Sequence, residues 1–200
     1  MTEDKDLAIW RFENILNKDT LILGLATTGE GKLDEIIEVC LVDLDGNILM
    51  DQLIRPTVTV SEQAHKINGI SFNDLVDEPS YLSIYTELLE LVEGKMVCIY
   101  NADLGARIVR QTSQKYNLES PLNYTKDIFC IMENYSEIKD EYDKDWNRKK
   151  YKSILEAARE ESIEYDSERG TRARVEALIA YQLIQSITSK EQEGTEAERG

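Results

Sequence analysis

The sequence predicts a single α/β domain with a mixed central sheet of about five strands and helices on both faces. Short apolar runs bounded by turn residues alternate with longer segments in which apolar residues recur at helical spacing. The 200 residues are enough for one well-filled domain and too few for two of usual size. No internal repeat or low-complexity linker divides the chain, so these elements belong to one unit.

The first three strands are predicted near the start of the chain. The run 21–26 (LILGLA) is compact and apolar, and a polar loop leads from it to the second run at 36–44. Asp45-Gly46 is a hairpin signal, and it pairs this second strand with the segment 48–54. The chain therefore opens with one strand followed by an antiparallel pair.

The rest of the chain alternates between helices and strands. A core-facing helix is indicated by Tyr81, Ile84, Tyr85, Leu88, Leu89 and Val92, which share one helical face. Two further strands are predicted at 96–100 and 125–129, and further helices at 102–116, around 154–158 and at 175–187. We expect a helical extension at 1–19, the main domain at 20–188 and an acidic flexible tail at 189–200.

Charge and composition narrow the classes of partner. There are 23 Lys and Arg against 39 Asp and Glu, a formal net charge of −16, and such a surface repels polyanions. No long apolar run predicts a membrane span, and the polar start MTEDKD is unlike a signal peptide, so we expect a cytoplasmic protein. Cys40, Cys98 and Cys130 lie in apolar stretches without CxxC spacing and are expected to be buried, inert thiols.

Four segments resemble, in order, the motifs of the DEDDh (DnaQ-like) 3′–5′ exonucleases, which have a ribonuclease H-like fold. The segments are LATTG at 25–29, AHKINGI at 64–70, YNADLGAR at 100–107 and TRARVEALIAYQLI at 171–184. The resemblance covers roughly residues 20 to 188, and the predicted order of strands and helices agrees with it. It implies a sheet whose first strand carries part of the catalytic site.

Enzymes of this family cleave phosphodiesters with two divalent cations held by carboxylates and with a histidine as general base. The resemblance places Gly24 and Ala26 where the family has its first Asp and Glu, and Gly105 at the Asp of the second motif. Thr171 stands in place of the histidine, and Glu176 stands in place of the last Asp, with one methylene more. The resemblance therefore implies a scaffold that lacks its catalytic groups.

Other acids near these motifs do not replace the missing groups. Glu30, Asp34 and Glu35 follow the first strand and are interpreted as solvated loop charges. Asp103 lies two positions before Gly105, and on a helix this turns it about 200° away. We expect no metal cofactor, and Mg²⁺ or Mn²⁺ would be needed only if nuclease activity persists.

A nucleic-acid groove is the alternative use of the same scaffold. Its candidate walls are Thr27, Thr28, Asn68, Tyr100 and Arg172. The basic stretch 144–152, which contains Trp146, could join them because an aromatic ring among cations is able to stack on a base. We interpret this stretch instead as a solvated face, since charge runs usually are.

The sequence thus predicts a catalytically inactive exonuclease-like domain that acts as a binding or regulatory module. The negative charge favours a protein partner, or a second copy of the chain, over nucleic acid and gives no indication of a membrane. Two alternatives stay open at this point. One is an exonuclease with residual metal-dependent activity, and the other is a nucleic-acid-binding remnant that does not cleave.

Overall fold

A five-stranded mixed sheet forms the centre of the protein. The computed structural model describes residues 3–15, 19–143, 148–166 and 172–197. The strands of the sheet are β1 (Thr20–Thr27), β2 (Ile36–Asp43), β3 (Ile48–Leu53), β4 (Met96–Ile99) and β5 (Asp127–Cys130). Their order is β3-β2-β1-β4-β5, with β1, β2 and β3 antiparallel and with β4 parallel to both β1 and β5. The predicted α/β fold with five strands is confirmed.

Seven helices and two short 3-10 turns surround the sheet in the described part of the chain. The helices are α1 (Glu3–Ile15), α2 (Glu62–Asn68), α3 (Tyr81–Val92), α4 (Ala102–Lys115), α5 (Ile131–Lys139), α6 (Ile154–Glu160) and α7 (Ala173–Ala197). The 3-10 turns are Phe72–Leu75 and Pro121–Tyr124, and a small second sheet pairs β6 (Tyr142–Asp143) with β7 (Arg148–Lys149).

Alternation along β1 divides the core into two layers. Ile22 faces a cluster with side chains of α1, α5, α6 and α7, whereas Leu21 and Leu23 face a cluster with side chains of α3 and α4. Successive side chains of a strand point to opposite faces of the sheet, and an even-numbered residue of β1 therefore points towards α7. This parity places Gly24 beneath α7.

The structure differs from the predicted division of the chain near both ends, at the extension 1–19 and at the tail 189–200. Helix α1, predicted as an extension, buries Phe12 and Ile15 in the core beside α5 and α7. Helix α7 continues to Ala197, through most of the segment predicted as a tail, and the mobility of that segment stays a prediction. None of the described helices is both long and apolar enough to span a membrane.

The cysteines are free thiols. Cys40 and Cys98 are buried, and burial raises the pKa of each to about 12, so both stay protonated at neutral pH. Cys130 is only partly buried. The expectation of inert buried thiols is thus confirmed for the first two, and the third lies closer to the surface.

Candidate functional site

A cleft of about 450 Å³ opens where β1 extends beyond the end of β4. Its walls come from the end of β1, the loop after β1, helix α2 and the beginnings of α4 and α7. Clefts at the carboxyl ends of parallel strands are the usual ligand sites of open α/β sheets. Three of the predicted positions meet in this cleft, namely Ala26, Gly105 and Glu176.

Gly24 lies beside the cleft, against the backbone of α7. A Cβ atom at this position would stand 2.0 Å from the carbonyl oxygen of Ala173 and 2.9 Å from the amide nitrogen of Ala177. Both atoms belong to helix backbone, which cannot move aside as a flexible side chain can. In this structure, position 24 therefore has no room for a carboxylate or for any other side chain.

An ion pair holds the start of α7 in this position. The guanidinium of Arg172 donates from Nη2 to Oε1 of Glu38 at 2.6 Å and from Nε to Oε2 at 2.9 Å. The backbone N–H of Ala173 donates to the same Oε2 at 2.7 Å, so Glu38 also caps the amino end of the helix. Glu38 lies on β2 directly opposite Ala26 and is buried.

The substitution Glu38→Gln is expected to lower the free energy of unfolding by about 3 kcal/mol, because it leaves the Arg172 guanidinium without its counter-charge in a partly buried position. Urea unfolding followed by circular dichroism measures this loss. The matched control is Asp51→Asn, which breaks the more exposed pair with Arg174 and is expected to cost less than about 1 kcal/mol. Equal losses in the two variants would contradict the anchoring role of Glu38.

Glu176 is the acid that points into the cleft from α7. It is partly buried, and desolvation raises the pKa of its carboxyl group to about 8, although a hydrogen bond from the Leu25 backbone acts in the opposite direction. The group is therefore mostly protonated at neutral pH. A protonated carboxyl is a weak ligand for Mg²⁺ or Mn²⁺, since hard cations bind the ionised oxygens.

The acids in the loop after β1 are engaged elsewhere. Asp34 accepts hydrogen bonds from the Thr28 hydroxyl at 2.7 Å and from the Gly31 amide at 2.6 Å. The prediction that Glu35 is a solvated loop charge is wrong: its side chain is 1% exposed and pairs with Lys115 Nζ at 2.6 Å. Thr57 also donates to Glu35 from its amide and hydroxyl. Burying a carboxylate requires such partners, and the chain supplies them from distant segments.

The same loop is fastened to α4. Arg107 donates from Nη2 to the Glu30 carbonyl at 2.8 Å, and Gln111 donates from Nε2 to the Asp34 carbonyl at 2.5 Å. These bonds fix the loop and so set the width of the cleft. Among the residues that the structure describes, no group of three or more His, Cys, Asp or Glu side chains is arranged to hold a metal ion.

The predicted groove residues separate into two sets. Thr27 and Asn68 line the cleft, and the Asn68 amide donates to the Thr27 carbonyl at 3.1 Å. The other three lie outside the lining of the cleft. Thr28 is buried and donates a hydrogen bond to Asp34, and Tyr100, which is 5% exposed, donates one from its hydroxyl to the Lys152 carbonyl. Arg172 forms an ion pair with Glu38. Thr171 lies outside the described residues.

Two lysines of the basic stretch form ion pairs within the domain. Lys149 contacts Asp140 at 2.5 Å and Glu137 at 3.1 Å, and Lys152 contacts Glu141 at 2.7 Å and also Glu160. Lys152 is 5% exposed, so the prediction of a solvated face is wrong at that position. The side chain of Trp146 lies outside the described residues. Lys149 and Lys152 are thus paired with neighbouring carboxylates, whereas Lys150 is exposed.

One important residue of this site, Glu38, is not identified from the sequence. Glu38 looks like an ordinary polar residue in an apolar strand, and its partner Arg172 is 134 positions away. Asn101, at the junction of β4 and α4, accepts a hydrogen bond from the Leu104 amide through its side chain and so begins α4 at the edge of the cleft. A charged residue inside the apolar run 36–44 was the available signal for Glu38, because buried acids almost always have a partner.

Comparisons with known proteins agree with this architecture. A family model described as Exonuclease matches residues 22–162. A protein of Escherichia phage 186 named "Uncharacterized exonuclease CP81" is 28% identical over 182 residues, which are 88% of this chain and 92% of the relative.

Solved structures show the same fold. The nuclease domain of 3'hExo, a DEDDh family member, has a TM-score of 0.63 at 14% identity, with 90% of this chain and 94% of that chain covered. Exonuclease X in complex with 5′ overhanging duplex DNA has a TM-score of 0.58 at 22% identity, with 86% of this chain and 93% of that chain covered. The chain therefore belongs to the exonuclease family and has the DnaQ-like fold of its DEDDh members.

Proposed function

We propose that this exonuclease-like domain does not cleave nucleic acid and acts as a binding or regulatory module for a protein partner. The observation that carries the proposal is the packing of α7 on Gly24, which leaves no space for the first carboxylate of the resemblance. Two-metal hydrolysis needs several carboxylates around a pair of cations. The α7 backbone occupies the space that the first of these carboxylates would need. A substitution elsewhere in the chain does not restore this metal ligand.

The state of the remaining acids supports the same proposal. Glu176 is the acid that the resemblance retains, and its raised pKa keeps it mostly protonated at neutral pH. Asp34 and Glu35 are bound by groups of the fold, and Glu38 is bound by Arg172. Recruiting any of them to a metal would break hydrogen bonds that stabilise the domain.

Charge favours a protein partner over nucleic acid. The chain carries a formal net charge of −16, and none of the described residues that line the cleft is a Lys, Arg or His. Binding to a phosphate backbone draws most of its affinity from such cations. A cytoplasmic location is part of the proposal, because Cys40 and Cys98 stay as free thiols.

Residual nuclease activity is the second candidate, and the names of the relatives favour it. The phage relative that covers most of this chain is named an exonuclease, and Glu176 does face the cleft. Activity of this kind would need carboxylates supplied by a rearranged loop or by another chain.

The test compares the purified protein with Exonuclease X on 5′-labelled single-stranded DNA and on a duplex with a 5′ overhang, in Mg²⁺ or Mn²⁺. We expect no shortening of either DNA, and calorimetry with Mn²⁺ should show no site tighter than millimolar, because the ionised oxygens that hold such cations are absent or engaged. The Glu176→Ala variant separates true activity from contamination. Cleavage by the wild type that this variant loses would overturn the proposal.

A further inference from the structure

Acidic side chains and no described cation line the cleft, and one of these acids, Glu176, is mostly protonated at neutral pH. Three of its lining residues are acids, Glu30, Asp34 and Glu176, and its described lining residues include no cationic side chain. A low-dielectric cleft lined by one sign of charge concentrates the field, and the net charge of the whole chain has the same sign. An occupant with positive charge would therefore be attracted.

The shape of the cleft adds a second requirement. Leu25, Ile99, Leu104 and Ile108 contribute apolar wall around Glu176, and no cation pairs with Glu176 among the described residues. An occupant that fills this space needs an apolar stem and a charged end. Arginine and lysine side chains have this form, because their methylene stems pack on apolar surface while the head group keeps its charge.

Apolar side chains are exposed in two of the elements that form the cleft, the loop after β1 and helix α2. Leu33, in the loop after β1, is 73% exposed, and Ile67, which lines the cleft from α2, is 50% exposed. A free amine or a metal ion bound in the cleft would be too small to cover these apolar side chains, which would stay exposed to water. A peptide segment that inserts one basic side chain would cover them with its neighbouring residues.

We propose that the cleft binds an arginine or lysine side chain presented by an apolar segment of a protein partner, and that Glu176 is its counter-charge. The proposal rests on the proposed function, since it names the chemistry of the partner. The titratable groups that face Glu176 are Tyr100 behind it and Glu30 and Asp34 in the cleft. Burial raises the pKa of Tyr100, so this phenol stays neutral while Glu176 titrates.

The test uses two tripeptides, acetyl-Leu-Arg-Leu-amide and acetyl-Leu-citrulline-Leu-amide. Citrulline has nearly the shape of arginine without the charge. The readout is the amide spectrum of the labelled protein in NMR titrations, followed at Leu25, Asn101 and Gly105. We expect the arginine peptide to shift these three amides and to bind at least about tenfold more tightly than the citrulline peptide, as a partly desolvated ion pair requires.

Two variants and a pH series sharpen the result. Glu176→Gln should remove the preference for arginine, whereas Glu87→Gln, the same change on the exposed side of α3, should leave it intact. Affinity for the arginine peptide should rise up to about tenfold per pH unit until about pH 8, because the cation binds the ionised form of Glu176. Equal binding of the two peptides, an unchanged preference in Glu176→Gln, or no shift at millimolar peptide would overturn the inference. DNA cleavage in the earlier assay would instead overturn the proposed function, so the two failures are distinguishable.

Discussion

The substitution Gly24→Ala is expected to lower the free energy of unfolding by about 4 kcal/mol, one of the two largest effects in the protein. The new methyl group would stand 2.0 Å from the Ala173 carbonyl oxygen, and the atoms it meets belong to helix backbone. Overpacking a well-filled core usually costs about 1–3 kcal/mol, and a rigid neighbour places this site above that range. Urea unfolding followed by circular dichroism measures the change.

Gly105→Ala is the matched control for this substitution. Its new methyl group would meet the Ile99 Cγ2 atom at 2.8 Å and the Leu25 Cδ1 atom at 3.4 Å, which are side-chain atoms and not backbone. The Ile99 methyl group must still shift, because it is bonded to the Cβ atom of a stiff, buried side chain. Alanine is favoured over glycine inside a helix by roughly 1 kcal/mol, which offsets part of the packing cost, so the net loss should be about 1–2 kcal/mol and smaller than that of Gly24→Ala. If Gly24→Ala were as stable as Gly105→Ala, α7 would not lie on β1 as described.

The same geometry bears on any attempt to rebuild a catalytic site. An aspartate at position 24 needs all the space that alanine needs and more, so α7 must move before a metal can bind there. Glu38 opposes this movement, because it holds both Arg172 and the first turn of α7. The absence of the carboxylate and the position of the helix are therefore coupled features of one packing arrangement.

The sequence was sufficient to predict the sheet, because apolar runs and a hairpin signal are local properties. The clustering of Ala26, Gly105 and Glu176 was implied by the resemblance to the DEDDh exonucleases and by no local pattern. It was not sufficient where burial depends on a distant partner. Glu35 looks solvated until Lys115, 80 positions away, is placed beside it. Lys152 likewise becomes a buried charge only when Glu141 and Glu160 surround it. Side-chain burial of charges is a tertiary property, and for Glu35 and Lys152 no local pattern indicates it.

The second of the two largest effects on the free energy of unfolding is expected from Glu176→Gln, and its size depends on pH. In the unfolded chain the Glu176 carboxyl titrates near its ordinary value of 4.5, whereas burial raises its pKa to about 8 in the folded protein. Between these values the folded state binds more protons than the unfolded state, so wild-type stability falls as pH rises, by up to about 1.4 kcal/mol per unit. The loss is complete above the folded pKa.

Glutamine has nearly the same shape and no titration, so the Gln variant should lack this loss. We expect the two proteins to have similar unfolding free energies near pH 4.5 and the variant to be more stable by up to about 4 kcal/mol near pH 8. Urea unfolding at intervals across this range measures the difference, and Glu87→Gln, on the exposed side of α3, controls for the change in net charge. A difference between Glu176→Gln and wild type that does not vary with pH would show that Glu176 is ionised throughout. The cleft would then present a permanent negative charge that a metal could use, and the case for a protonated, metal-free carboxyl group would fail.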